Sequence, residues 1–215
     1  MCSTTARSSS RPLETLLLVR HALAGSNRDG TASCAVPGEG LTAEGCEQAH
    51  RLRVQLEAEE IGLGVATELR RTHETLELAL RGREVPSIVV PELNEIDFGG
   101  FDGGPLDSYR AWAASQSPTV AAPDGGESRA AAASRFARGV RVLGERREAV
   151  ILVVGHALAI RYVLDAAAGL SPAALMAPVE HAVPQCLDAR EAAAAARLLE
   201  EWSRAPAFRS LPDRA

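Results

Sequence analysis

Two segments of the chain share one design: "LLLVRHA" (Leu16 to Ala22) and "ILVVGHA" (Ile151 to Ala157). Each runs four apolar residues into a polar or glycine position and then into His-Ala. A short unbroken apolar run suits a strand buried on both faces, and such strands belong to parallel sheets covered by helices. If the two strands are neighbours, His21 and His156 emerge side by side at the carboxyl edge of the sheet. Ligands bind α/β sheets at that edge. Ala157 would then open a helix whose first N–H groups face the same point, an arrangement that favours an anion.

The remaining segments fit this frame. Glu14–Arg20 reads as a buried strand, and the Gly- and Ser-rich run from Gly25 to Gly40 as a loop. Thr42 precedes Ala43-Glu44-Gly45 as a helix N-cap, and Leu52 and Leu56 mark an apolar helix face. "GVAT" is a short strand, "RRTHETLELALRG" a helix closed by Gly82, and "PSIVVPEL" an extended segment limited by Pro86 and Pro91. The stretch that follows has only a short helix near Leu106–Ala114. Beyond it come a helix from Ser128, the strand ending in His156, a helix closed near Gly169, an edge strand in "APVEHAVPQCLD" and a final helix. Strands alternating with helices predict a three-layer α/β/α sandwich around a mostly parallel sheet. Residues 13–215 are read as one domain, with a small inserted cap or lid at about 96–126. Residues 1–12 are read as a disordered tail.

Composition narrows the function. Of 215 residues 46% are hydrophobic, which supports a sizeable core. The net charge of −5 argues against nucleic acid or an anionic membrane as partner. All 23 basic residues are arginine, so Schiff-base and P-loop lysine chemistries are excluded, and a phosphate site must use Arg, His and backbone N–H groups. Cys2, Cys34, Cys46 and Cys186 form no C-x-x-C pair and read as free thiols of a reducing cytoplasm. The N-terminal stretch has no apolar signal core, and no run approaches membrane-spanning length.

Arg20 beside His21 disfavours a metal cation and favours an anion, most simply a phosphoryl group. His50, His73 and His181 complete no metal-binding spacing with the pair and read as surface or partly buried residues without a role. At this point the chain resembles the histidine phosphatase superfamily, the phosphoglycerate mutase-like group. "LVRHALAGSN" carries that family's Arg-His signature, with Arg20, His21 and Asn27 matching. "LTAEGCEQAHRL" and "TELRRTHET" match two further segments, the second placing the family's arginine at Arg71 rather than its neighbour Arg70. "ELNEIDFGGFDG" places an acid at Glu95, with Asp97 and Asp102 as rivals; "PDGGES" and "VVGHALAIR" complete the order.

The resemblance implies that His21 is a nucleophile and that Arg20, Arg71, Asn27, His156 and the Ala157 backbone hold the phosphoryl group. A backbone carbonyl on the other ring nitrogen would fix the tautomer of His21. Glu95 would supply the leaving-group proton when protonated, a state that a nearby phosphate dianion favours. No metal or cofactor is called for. Ala22, Leu23 and Ala24 depart from the family's Gly-Glu-Thr, which makes this loop atypical; Ser26 or a backbone N–H could replace the lost hydroxyl. Between Glu95 and Pro123 the only basic residue is Arg110, among Asp97, Asp102 and Asp107, a poor clamp for a doubly anionic substrate. Hydrolysis of a small phosphorylated metabolite is therefore preferred over phosphoglycerate mutation, with a non-catalytic phospho-ligand binder as the third reading. Tyr109 and Trp112 are candidates for a pocket wall, although packing on a short helix is their commoner use. The last helix presents Leu198, Leu199 and Trp202 to the body or to a second subunit, which leaves a homodimer open.

Overall fold

A computed structural model describes residues 12–210. Five strands form one sheet in the order β3-β2-β4-β1-β5: β1 (Thr15–Arg20), β2 (Leu63–Ala66), β3 (Ser87–Val89), β4 (Val150–Gly155) and β5 (Pro184–Asp188). All pairings are parallel except that of β1 with β5, so the expected edge strand is also the antiparallel one. Seven helices accompany them: α1 (Gly25–Arg28), α2 (Ala43–Gln55), α3 (Arg70–Ala79), α4 (Leu106–Ser115), α5 (Arg129–Gly144), α6 (Ala157–Ala167) and α7 (Ala189–Arg204). The short α1 interrupts a stretch expected to be loop throughout. The tail assigned to residues 1–12 lies outside the described residues apart from Pro12, which is exposed.

The period-2 alternation of strands sorts the core into two layers. Leu16 and Leu18 of β1 and Ile151 and Val153 of β4 face one cluster, which includes Phe136, Tyr162 and Leu199 from α5, α6 and α7. Leu17, Val19, Leu152 and Val154 face the other, with Leu52 of α2 and Leu76 of α3. The central strands are thus apolar on both faces because both faces are covered. α7 spends its apolar face inside the chain: Leu199 is fully buried, and Trp202 packs edge-on against Tyr162 at 6.0 Å and donates to the Ala207 carbonyl. Helix starts follow the sequence signals. Thr42 accepts from the Gly45 N–H, Ser128 from Ala131, and Asp188 forms a capping box with Glu191. No helix among the described residues is long and apolar enough to cross a membrane.

The consequence for function lies in the register. β1 pairs with β4 so that Arg20 stands opposite Gly155, and the His21 N–H donates to the Gly155 carbonyl at 2.9 Å. His21 and His156, the next residue on each strand, therefore leave the sheet together.

Candidate active site

The two imidazoles meet edge to face with ring centroids 5.3 Å apart, His21 2% exposed and His156 fully buried. Nδ1 of His21 lies 2.8 Å from the Ala22 carbonyl, which requires its proton there and leaves the lone pair on Nε2. Arg71 Nε donates to that Nε2 at 3.1 Å. The guanidinium also donates from Nη2 to the Ser33 carbonyl and to Nδ1 of His156, at 2.9 and 3.4 Å. One arginine thus touches both rings. The motif register selects Arg71 over Arg70 for a physical reason: Arg71 is the 2%-exposed residue at the start of α3, while Arg70 points outward to Glu74.

Burial and neighbouring guanidinium groups hold both imidazoles well below the ordinary histidine range, so they are neutral at pH 7. Arg20 is lowered to about 10 by burial and remains a cation; its Nη1 donates to the Val179 carbonyl at 2.8 Å. Among the described residues, Nε of Arg20 and Nη1 of Arg71 are buried donors with no acceptor. Glu95 places Oε2 3.9 Å from Nδ1 of His156. Its rivals are engaged elsewhere, Asp97 with the Gly99 N–H and Asp102 with the Cys34 N–H.

A cavity of about 360 Å³ opens above this cluster, lined by Arg20, Arg71, Glu95, Asn27 and Ala157. Of the sequence-predicted residues, Arg20, Asn27, Arg71, Glu95 and Ala157 line this cavity; His21 and His156 lie outside the lining and are joined to it through Arg71, which bonds both rings. Asn27 also serves α1, its Oδ1 accepting the Ala24 N–H at 3.3 Å. Ser26, 2% exposed, lines the cavity beside it, while the Ala24 side chain is fully buried. Tyr109 lines the wall, edge-on to Phe98 at 4.7 Å, whereas Trp112 stacks on Phe101 outside the lining.

Several supporting residues escaped sequence reasoning. His181, read as having no role, points Nδ1 at the His21 carbonyl at 2.6 Å, and burial lowers it to about 4. A histidine in an edge segment gives no sequence signal of such a contact. Thr67 holds Nε2 of His156 at 2.9 Å, and Thr75 accepts the Ala22 N–H at 3.0 Å. Arg135 donates to the carbonyls of Glu92, Asn94 and Glu95 while paired with Glu127 at 2.6 Å, so the "PDGGES" turn anchors the loop that carries Glu95. Arg129 adds a cation to the cavity wall that a count confined to 95–123 overlooks.

A profile of the histidine phosphatase superfamily (branch 1) matches residues 16–202. The adenosylcobalamin/alpha-ribazole phosphatase of Escherichia coli (strain K12) is 33% identical over 150 residues, which cover 66% of this chain and 72% of that one. The crystal structure of the alpha-ribazole phosphatase from Shigella flexneri superposes with a TM-score of 0.70 at 28% identity, covering 81% of this chain and 90% of that one. Bacillus stearothermophilus YhfR gives 0.70 at 26% identity over 80% of this chain and 89% of its own.

Proposed function

The chain belongs to the histidine phosphatase superfamily (branch 1), and on that premise we propose that it hydrolyses a small phosphorylated metabolite through a phosphohistidine at His21, without a metal. One observation carries this reading: among the described residues, buried unpaired N–H groups of Arg20 and Arg71 flank a neutral imidazole whose unprotonated nitrogen is Nε2, held only by Arg71. Those donors need acceptors, and phosphoryl oxygens supply them with matching charge. The phosphoryl group takes the place of Arg71 as the partner of Nε2, and Arg71 turns its donors to the phosphoryl oxygens.

Nδ1–H of His21, held by the Ala22 carbonyl, keeps the nucleophile in one tautomer through both steps. In the first step Nε2 bonds to phosphorus as the bond to the leaving oxygen breaks, and Glu95 passes its proton to that oxygen. In the second, water attacks phosphorus, Glu95 takes a proton from it, and the bond to Nε2 breaks to release phosphate. His156, with Nε2 at Thr67, directs Nδ1 toward the reacting group; the arriving dianion favours its protonated, donating form. Asn27 and the N–H of Ala157 at the start of α6 complete the oxygen cradle. Residues 96–126 act as the cap that closes the cavity, with Tyr109 as its inner face.

The test is p-nitrophenyl phosphate turnover between pH 5 and 7 with excess EDTA, beside His21→Ala. The expected result is activity that survives EDTA and falls on the order of 10⁴-fold in the variant. Wild-type activity lost to EDTA, or retained by His21→Ala, overturns the mechanism. The relatives' names make alpha-ribazole phosphate the first metabolite to try.

A further inference from the structure

The same cavity holds a cation that phosphoryl transfer does not use. Arg129, the first residue of α5, lines it near Tyr109 and is 8% exposed. Its guanidinium carbon lies 5.7 Å from the ring centroid of Tyr162, and Nη2 donates to the Ala174 carbonyl at 3.2 Å. Among the described residues Arg129 forms no ion pair, and its Nε–H is buried without an acceptor. The buried, unpaired Nε–H of Arg129 on the cavity wall indicates the chemistry of the missing partner. A buried cation is costly unless it is paired, and the guanidinium fork matches the two oxygens of an acid.

Charge balance leads to the same ligand. Among the described residues, four arginines line the cavity, Arg20, Arg71, Arg110 and Arg129, against the single carboxylate of Glu95. Arg110 is already paired with Asp107 at 3.0 Å. A phosphoryl dianion satisfies Arg20 and Arg71, and Arg129 is left over. Phe98, Leu106 and Leu158 give the same cavity an apolar lining. We propose that Arg129 forms a second anion subsite, and that the substrate is a phosphomonoester whose apolar body carries a second acidic group. The proposal rests on the phosphatase reading only for which end of the ligand meets His21.

The experiment measures calorimetric binding of two non-hydrolysable ligands to the full chain: 4-carboxybenzylphosphonate and its primary amide. The wild type should bind the carboxylate about 10- to 100-fold more tightly, the range for hydrogen bonds to a charged partner. Arg129→Gln should reduce that ratio to near one, and Arg129→Lys, which keeps the charge without the fork, should give an intermediate ratio. Equal affinity of the wild type for the two ligands, no binding of either, or an undiminished ratio in Arg129→Gln overturns the subsite. Turnover of p-nitrophenyl phosphate by the same wild-type preparation separates the two readings. A carboxylate preference without turnover supports the subsite and refutes hydrolysis; turnover without a preference does the reverse.

Discussion

His21 is held from three directions, and each contact performs a different task. Ala22 accepts from Nδ1 and sets the tautomer, Arg71 occupies Nε2, and His181 donates to the backbone carbonyl of His21 itself. The last contact ties the end of β1 to the segment before β5, a link repeated by the Ala182 N–H on the Arg20 carbonyl. The His21 carbonyl holds the His181 proton on Nδ1, and the neutral ring and the imidazolium both carry it there, so the donor is present across the working range. His181 is thus a positioning residue: without it the strand tip bearing His21 loosens. His181→Ala should lower kcat about 10- to 100-fold with KM changed less than about threefold. His181→Asn, whose amide N–H sits where Nδ1 did, should recover most of that loss. Equal losses in both variants, or a loss confined to KM, would reduce His181 to a packing role.

At the scale of elements, the site depends on how closely α2 approaches the loop after His21. The Leu23 carbonyl accepts both the N–H and the hydroxyl of Thr42, so the cap of α2 is stitched to the loop following His21. Gly45 makes that approach possible: a Cβ there would lie 2.1 Å from the Leu23 oxygen, a backbone atom that cannot rotate away. Gly45→Ala should cost about 1–3 kcal/mol in urea unfolding and also depress activity, since relief must come from moving the loop. Gly144→Ala near the end of α5, where a Cβ meets nothing within 4 Å, should instead stabilise by about 0.4–1 kcal/mol. The strands and most helices were legible because their signals are local: apolar runs, Thr42 and Ser128 as caps, Gly82 and Gly169 beyond helix ends. The pairing of His21 with His156 was legible because two identical strand-end designs have one natural place in a parallel sheet. Thr67, His181, Arg129 and Arg135 were not, because their meaning comes from which backbone groups the fold brings to them. The short α1 was hidden for a related reason: its cap is the Asn27 side chain reaching back to Ala24, within a Gly- and Ser-rich run.

For the molecule as a whole, the site imposes a pH dependence on stability. His21, His156 and His181 are all held neutral in the folded chain, chiefly by burial and then by Arg71 or Arg20. In the unfolded chain each titrates near 6.5. Below that pH the unfolded state binds protons that the folded state refuses, so stability falls with falling pH. It is fully present above about 6.5, and the loss continues toward 4 for His181 and through the depressed range of the other two. Each such histidine contributes a slope of up to about 1.4 kcal/mol per pH unit within its window. Urea midpoints should therefore drop steadily from pH 7 to pH 5, before the carboxylates titrate. His181→Asn should flatten that slope by roughly one histidine's share, whatever its effect at pH 7. A bound phosphate should restore part of the loss, because a dianion next to His156 makes protonation of the folded site easier. A flat midpoint between pH 7 and pH 5 would mean that these imidazoles accept protons in the folded chain. The nucleophile would then be partly charged in the range where the proposed mechanism needs its lone pair.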